Sequence, residues 1–266
     1  MIVEILCVGN ELLSGITPNT NAHWLAGQVA RAGAIITRVT TVRDDLREIS
    51  TATRESLSRN PDILITTGGL GATYDDMTLE GVAIALGKKV TKDERAVEML
   101  KKSYVRRKLN YELNEVRLKM ATIPEGSTPL ENMVGSAPGV MDNSGSTRIF
   151  CLQGVPLEMQ EEFNKHILPA IKEAVGNFVS EEINYDVLGV SEAMIAPALV
   201  RIVESNPKDA IYLKTHPQGY EADNTPHIRV HLVSSGNDPK QVRIRLDAVA
   251  AVIRQEVAKL GGRIAV

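Results

Sequence analysis

The stretch Asp62–Glu80, DILITTGGLGATYDDMTLE, decides the fold expected for this chain. It opens with a short apolar run, Asp62–Thr67, that is typical of a buried strand, and continues through a turn that contains three glycines. A helical pattern follows from about Asp76 to Leu86. A strand that leads through a glycine-rich turn into a helix is a unit of an α/β protein with a parallel sheet.

The same alternation runs through the first two thirds of the chain. The apolar spacing predicts strands at Ile2–Val8, Ala34–Val42 and Arg148–Leu152, and helices at Asn19–Ala32, Leu46–Leu57, Thr91–Lys119 and Pro156–Val175. The Gly-, Pro- and Ser-rich segment Ala121–Gly145 is interpreted as a loop region. These elements predict a three-layer α/β sandwich with a mostly parallel sheet, whose ligand-binding turns follow the carboxyl ends of the strands.

The pattern changes near the end of this region. The elements predicted after Asn177 follow the order β-α-β-β-α-β, which is the order of a small split βαβ sandwich. We therefore expect two domains, residues 1–177 and a smaller α+β domain of residues 178–266.

Composition narrows the possible partners. Thirty basic and 33 acidic residues leave a formal charge of −3, whereas general nucleic-acid or membrane-surface binding needs surplus Lys and Arg. The two cysteines lie in apolar runs, and neither a signal peptide nor a long apolar span is visible. We expect a cytoplasmic protein that binds a small molecule, with no nucleic-acid or membrane partner.

The glycine turn is the most informative candidate site. Gly68, Gly69 and Gly71 can take positive φ and let backbone amides approach an anion such as phosphate. Asp75 and Asp76 in the same turn would repel phosphate unless a divalent cation, or a base that they can hydrogen-bond, lies between. The alternative interpretation is a structural turn with an aspartate N-cap.

Two further loops are predicted to face the same crevice. In the VRDD segment after the second strand, Asp45 is the better helix cap, which leaves Asp44 free for the crevice. In the loop after the first strand, Glu11, Asn19 and Asn21 are candidate ligand contacts, and Asn19 is equally suited to cap its helix.

The motifs GNELLSG (9–15), NTNAHWLAGQVARAG (19–33), VRDD (42–45) and TTGGLGATYDDMT (66–78), in this order and spacing, resemble the CinA (competence/damage-inducible protein) family. That family belongs to the wider molybdopterin-binding superfamily of MoaB and MogA. The resemblance continues through EGSTPLENMVGSAPG (125–139) and QGVPLEM (153–159), and the second domain resembles the KH-like domain of the same family. It implies a MoaB/MogA-like fold.

The resemblance also implies roles for particular residues. Asp44 and Asp76 match the superfamily's key acids, expected to hold a divalent metal such as Mg or Co. The remaining matches are ligand- or phosphate-binding positions in three loops: Gly68, Gly69, Gly71 and Thr73, then Asn132, Gly135, Pro138 and Gly139, then Gly154 and Pro156.

Three positions depart from the family pattern. The family usually has Asp at Asn19, Pro at Ala72 and Pro at Gln153. The loss of a charge at Asn19 is expected to weaken any metal held there, and Ala72 adds a backbone N–H to the turn. The chain also ends before the nicotinamide-mononucleotide amidohydrolase domain of longer members, so no deamidase activity is expected.

The resemblance implies metal-dependent hydrolysis of ADP-ribose to AMP and ribose 5-phosphate, with Asp75 or Glu11 as candidate general bases. The alternative is a molybdopterin- or nucleotide-binding module without hydrolysis, in which the same carboxylates accept hydrogen bonds from a pterin. A homo-oligomer, with a dimer favoured, is expected because the family assembles.

Two weaker patterns are interpreted structurally. The basic cluster KKSYVRRK (101–108) is expected to be a solvated helix face. His227 and His231 lie on one face of a predicted strand, which favours a half-exposed strand over a zinc site.

Overall fold

The computed structural model describes residues 1–109, 112–207 and 210–265, which divide into two compact units, Met1–Val175 and Gly176–Val266. The predicted domain boundary after residue 177 lies two positions further along the chain. Each unit has its own hydrophobic core, one built on a mostly parallel sheet and the other on an antiparallel sheet.

The described strands of the first unit are β1 Ile2–Val8, β2 Ile35–Val42, β3 Ile63–Thr67, β4 Val90–Lys92, β5 Thr122–Pro124, β6 Thr128–Leu130, β7 Gly139–Ser144 and β8 Thr147–Leu152. Its described helices are α1 Asn10–Leu13, α2 Thr20–Arg31, α3 Leu46–Ser58, α4 Thr78–Leu86, α5 Glu94–Arg106, α6 Glu115–Leu118, α7 Pro156–Glu162 and α8 Leu168–Val175, with a 3₁₀ turn at Lys119–Ala121 and a π-helical turn at Phe163–Ile167.

Within the described residues, the main sheet has the order β2-β1-β3-β8-β7-β6. The strands β2, β1, β3 and β8 are parallel, and β7 and β6 are antiparallel to their neighbours. The predicted α/β fold with a mostly parallel sheet is therefore confirmed.

Alternation along the buried strands explains the three layers. Ile63 and Ile65 of β3 pack with α2, α7 and α8 on one face, whereas Leu64 packs with α3 and α4 on the other. All three side chains are fully buried. Because both faces of the sheet are covered, the strand begins with three consecutive apolar residues instead of alternating with polar ones, as is typical of parallel sheets.

The central region differs from the prediction. The helix predicted over Thr91–Lys119 is divided into α5 and α6, because Lys108 takes a left-handed φ of 54° and Asn114 caps a new helix by accepting the Arg117 N–H. The predicted loop Ala121–Gly145 contains β5, β6 and β7, whose pairing with distant strands is not visible in local sequence.

The second unit consists of β9 Val179–Leu188, α9 Glu192–Glu204, β10 Ile211–Tyr220, β11 Pro226–Gly236, α10 Pro239–Lys259 and β12 Arg263–Ala265. Its described strands form an antiparallel sheet in the order β10-β11-β9-β12. Val230 and Leu232 of β11 pack with Leu246 and Ile253 of α10 in the core. The predicted β-α-β-β-α-β order is confirmed, and the KH-like assignment stays a prediction.

Candidate functional site

A cavity of about 280 Å³ opens beyond the carboxyl ends of β1, β2 and β3. We call it the acidic cavity, because Glu11, Asp44, Asp75 and Asp76 line it. No Lys, Arg or His lines it within residues 1–109, 112–207 and 210–265. Lys119 lies beside this set, since its Nζ donates to the Thr73 carbonyl and its charge adds to the hydrogen bond from the Thr73 hydroxyl in lowering the pKa of Asp75. Four carboxylates near a single cation are still electrostatically costly, so this set favours a bound cation or a ligand rich in N–H donors.

Asp44 lines the acidic cavity, as expected if its neighbour Asp45 caps α3. Asp45 caps α3 by accepting the N–H groups of Arg47 and Glu48, and the Asp44 Oδ2 atom accepts the Asn10 N–H at 2.8 Å. Burial raises the pKa of the Asp44 carboxyl, and the charges of Glu11 and Asp75 raise it further. The fold therefore holds Asp44 in a position that disfavours its charge, which is typical of functional acids.

The glycine turn brings β1 and β3 close together at the base of the cavity. Gly68 and Gly69 have φ of 102° and 67°, and a Cβ on Gly68 would lie 2.2 Å from the Val8 carbonyl oxygen. Gly71 does not share their positive φ; its Cβ would instead lie 2.5 Å from Asp76 Oδ2. Glycine is thus required at Gly68 and Gly69 by the positive φ, and at Gly71 by the close approach of the Asp76 side chain.

Not every amide of this turn is available to an anion. The Gly68 N–H donates to the Leu152 carbonyl at 3.1 Å, and the Thr73 N–H donates to Asp76 Oδ2 at 2.8 Å. Within the described residues, the amides of Gly69 and Gly71 have no acceptor. The predicted phosphate turn therefore offers fewer free amides than the glycine count implies.

Asp76 stabilises the turn instead of capping the helix. Helix α4 begins at Thr78, two residues after the predicted start at about Asp76, and its N-cap residue Met77 makes no side-chain cap. The Thr73 hydroxyl lies 2.5 Å from both Asp75 Oδ1 and Asp76 Oδ2, and its bond to Asp75 lowers the pKa of that carboxyl. Since a hydroxyl has one proton to donate, two carboxylates share one donor at this point.

The loop after β1 and the start of α2 form another wall. Asn19 caps α2 by accepting the Ala22 N–H at 3.0 Å, which confirms the capping interpretation. It also lines the cavity, and its contact with a ligand stays a prediction. Asn21 Nδ2 donates to Thr67 Oγ1 at 3.1 Å and to the Gly154 carbonyl at 2.8 Å. The Oδ1 atom of Asn21 is buried without a partner among the described residues. Gly154 and Pro156 complete the wall.

The second predicted ligand loop lies outside the acidic cavity. Asn132 is buried, and its Oδ1 accepts the Gly135 N–H at 2.7 Å while its Nδ2 donates to the Ala137 carbonyl at 2.9 Å. Pro138 and Gly139 are buried where β7 begins. These residues shape the loop, whereas its neighbours Ser136 and Ala137 face a second cavity.

This second cavity, about 360 Å³, adjoins the first through Gly69, Asp76 and Gly154, which line both. We call it the arginine cavity, because Arg107 lines it together with Ser136, Gln153 and Glu158. Sequence reasoning missed these four residues as site residues. Arg107 belongs to the basic cluster that was interpreted as a solvated face, and nothing local indicated that it meets the loop at Ser136.

A buried acid lies behind the arginine cavity. The Glu162 side chain is fully buried at the end of α7, and its Oε2 accepts the Gln153 N–H at 3.3 Å. Burial raises the pKa of Glu162 to about 8, with the charge of Glu158 as a smaller cause. At neutral pH this carboxyl is therefore mostly protonated, and it supports the backbone that leads to Gly154.

The carboxylates of the acidic cavity suit a divalent cation only if other groups complete its coordination. Among the described residues, no group of three or more His, Cys, Asp or Glu side chains is arranged to hold a metal ion. Asp44 and Asp76 nevertheless suit Mg²⁺, which binds through one or two carboxylates and takes its other oxygens from water and ligand phosphates. The donor set fits a cation shared with a ligand better than a resident metal centre.

The fold and this site define a class of ligand-binding α/β domain. Residues 4–173 match the family described as the probable molybdopterin binding domain, and the chain belongs to that family. This confirms the MoaB/MogA-like fold.

Individual relatives extend the comparison. A protein of Metallosphaera sedula is 40% identical over 262 residues, covering 97% of this chain and 95% of the relative, and a protein of Aeropyrum pernix is 39% identical over 260 residues, covering 98% and 95%. The crystal structure of CinA from Thermoplasma acidophilum, a protein described as having unknown function, is similar at 39% identity with a TM-score of 0.58. That likeness covers 66% of this chain and 99% of the other.

No described helix has both the length and the apolar character needed to cross a membrane.

Proposed function

We propose that this protein binds a molybdopterin-like ligand, a pterin that carries phosphate, in the acidic cavity. The observation that carries the proposal is the set of four carboxylates with no basic side chain among the described lining residues. Pterin rings present several N–H donors, and carboxylates are their natural acceptors. The match to the probable molybdopterin binding domain family supports the same ligand class.

Different residues of the cavity would contact different parts of the ligand. Asp44 would accept ring N–H groups, and the unpartnered Asn21 Oδ1 would accept another donor. The free amides of Gly69 and Gly71 would meet the phosphate end of the ligand. Asp76, held by Thr73, would keep the turn in the conformation that exposes those amides.

A second candidate is metal-dependent hydrolysis of ADP-ribose to AMP and ribose 5-phosphate. It is favoured by one observation, the crowding of Asp75 and Asp76 on a single hydroxyl donor beside Asp44. A divalent cation bound through Asp44 and Asp76 would neutralise the diphosphate and lower the pKa of water. Asp75 or Glu11 would accept the proton of the attacking water.

Thermal unfolding with added ligands separates the two candidates. Stabilisation of the full chain by molybdopterin, and none by ADP-ribose with Mg²⁺ or Co²⁺, is expected for the binding module. Release of AMP from ADP-ribose that requires metal and is lost in Asp76→Ala would establish the hydrolase instead. Stabilisation by neither ligand would refute both.

The control is Asp62→Asn, which removes a carboxylate that bonds the Ile2 N–H away from the cavity. Its ligand-induced shift is expected to equal that of the unmodified protein. A cytoplasmic location and a homodimer remain predictions, and gel filtration of the full chain tests the latter.

A further inference from the structure

Arg107 is distinguished from the other basic residues of its cluster by its place in the fold. It follows the last residue of α5, and its Nη1 donates to Ser136 Oγ at 2.8 Å across the arginine cavity. Within the part of the chain that the structure describes, Arg107 forms no ion pair. Its neighbour Arg106 instead donates to the Asn132 carbonyl at 2.7 Å, so its guanidinium stabilises the loop before β7.

The partner loop holds Ser136 in a defined position. Asn132 satisfies the N–H groups of Val134 and Gly135, and its own Nδ2 donates to Glu158 Oε2 at 2.7 Å. Glu158 and Asp76 also line this cavity, and each accepts a hydrogen bond from a neutral group, Asn132 and Thr73 respectively. Arg107 is the basic side chain among the described lining residues, and its guanidinium has further donors beside the one that Ser136 accepts.

The two cavities differ in their charged groups. Among the described residues no basic side chain lines the acidic cavity, whereas Arg107 lines the arginine cavity beside Asp76 and Glu158 and offers a planar cation that binds phosphate oxygens in pairs. Gly69, Asp76 and Gly154 line both, so one molecule can extend from the first cavity into the second. Such a molecule would carry its N–H and O–H donors at one end and its anionic group at the other.

We propose that Arg107 anchors the phosphate end of the ligand whose donor-rich ring occupies the acidic cavity, an inference that rests on the proposed function. The ligand class is thus a heterocycle joined to a phosphate ester, and Arg107 selects the phosphorylated form. The Ser136 hydroxyl orients the guanidinium and supplies a further donor.

The test uses the full chain and calorimetric titration with three probes: inorganic pyrophosphate, AMP and adenosine. In Arg107→Gln the affinity for pyrophosphate and AMP is expected to fall about tenfold or more, while adenosine binds as before. Arg107→Lys is expected to restore part of the loss, because it keeps the charge but not the planar fork. Unchanged AMP and pyrophosphate affinity in Arg107→Gln, or no binding of either to the unmodified chain, overturns the inference.

Two controls separate this result from other causes. Lys102→Gln changes a cation of the same helix whose partner is Glu98, and all affinities should persist. Asp44→Asn should leave the pyrophosphate affinity unchanged. Stabilisation by molybdopterin that is insensitive to Asp44→Asn counts against the proposed function, whereas the pyrophosphate result decides the role of Arg107. Equal urea unfolding of Arg107→Gln and the unmodified chain excludes a folding defect.

Discussion

At the scale of single residues, the fold holds two acids, Asp44 and Glu162, in positions that disfavour their charged forms. Asp44 is partly desolvated and repelled by Glu11 and Asp75, and Glu162 is buried with one oxygen unpartnered among the described residues. Neither position improves stability, because burial disfavours the charged form of a carboxyl. Such residues are typical of functional sites.

Because the surroundings of Asp44 disfavour its charge, removing that charge is expected to stabilise the protein. Asp44→Asn is expected to raise the melting temperature at pH 7, since the amide oxygen can still accept the Asn10 N–H while the repulsion from Glu11 and Asp75 is removed. Asp45→Asn is the matched control and should change little, because Asn caps a helix as well as Asp does. A lower melting temperature for Asp44→Asn would contradict this explanation.

Glu162 predicts a particular pH dependence. Its pKa is raised from 4.5 to about 8, so the folded state binds the proton more tightly than the unfolded state does. The contribution of protonated Glu162 to the free energy of unfolding is therefore fully present below about pH 4.5 and is lost as pH rises through about 8.

Urea unfolding at pH 5, 7 and 9 tests this assignment. Glu162→Gln should lose less stability than the unmodified chain between pH 5 and pH 9, because the amide does not ionise. Glu173→Gln, an exposed position on α8, should keep the original pH slope. Identical slopes in all three proteins would exclude Glu162 as the titrating group.

At the scale of elements, glycines in helices show how packing overrides propensity. Gly81 in α4 lies against α3, and a Cβ there would be 2.5 Å from Ile49 Cγ2. Gly27 in α2 has open surroundings, with Arg31 Nη1 at 3.5 Å as the nearest atom to such a Cβ. The same substitution is therefore expected to have opposite effects in the two helices.

Gly81→Ala should destabilise the protein by about 1–3 kcal/mol, because α3 and α4 must separate. Gly27→Ala should stabilise it by up to about 1 kcal/mol through helix propensity alone. Urea unfolding free energies of the two variants measure the difference. The explanation by packing fails if Gly81→Ala is as stable as Gly27→Ala.

Elements with strong local patterns were predictable, and those defined by long-range pairing were not. The strand β1 matches its prediction at both ends, since it is apolar except for Glu4, as expected of a buried parallel strand. β7 was missed because its segment is rich in Gly, Asn and Ser, and it becomes a strand only by pairing with β8. The break after α5 depends on the left-handed backbone at Lys108, which periodicity does not reveal.

At the scale of the whole molecule, the division into two units predicts that the first folds alone. The described residues that line the acidic and arginine cavities belong to Met1–Val175, which has a hydrophobic core of its own. A fragment of residues 1–175 should unfold cooperatively in urea and bind AMP with the affinity of the full chain.

The matched control is a fragment of residues 1–160, which lacks Phe163, Ile167 and Ile171 of the core and should not fold. A 1–175 fragment that folds but binds AMP far more weakly than the full chain would show that the second unit contributes to the site.

The sequence by itself determined the α/β class, the order of most elements and the four candidate carboxylates that line the acidic cavity, because a buried parallel strand, a glycine turn and a capping aspartate each have a local physical signature. Tertiary structure alone decided which residues share a cavity. Arg107 and Ser136 are distant in sequence and meet only because α5 packs against the loop before β7. The occupied amides of Gly68 and Thr73 were likewise invisible, since hydrogen-bond partners are set by contacts in space and not by residue type.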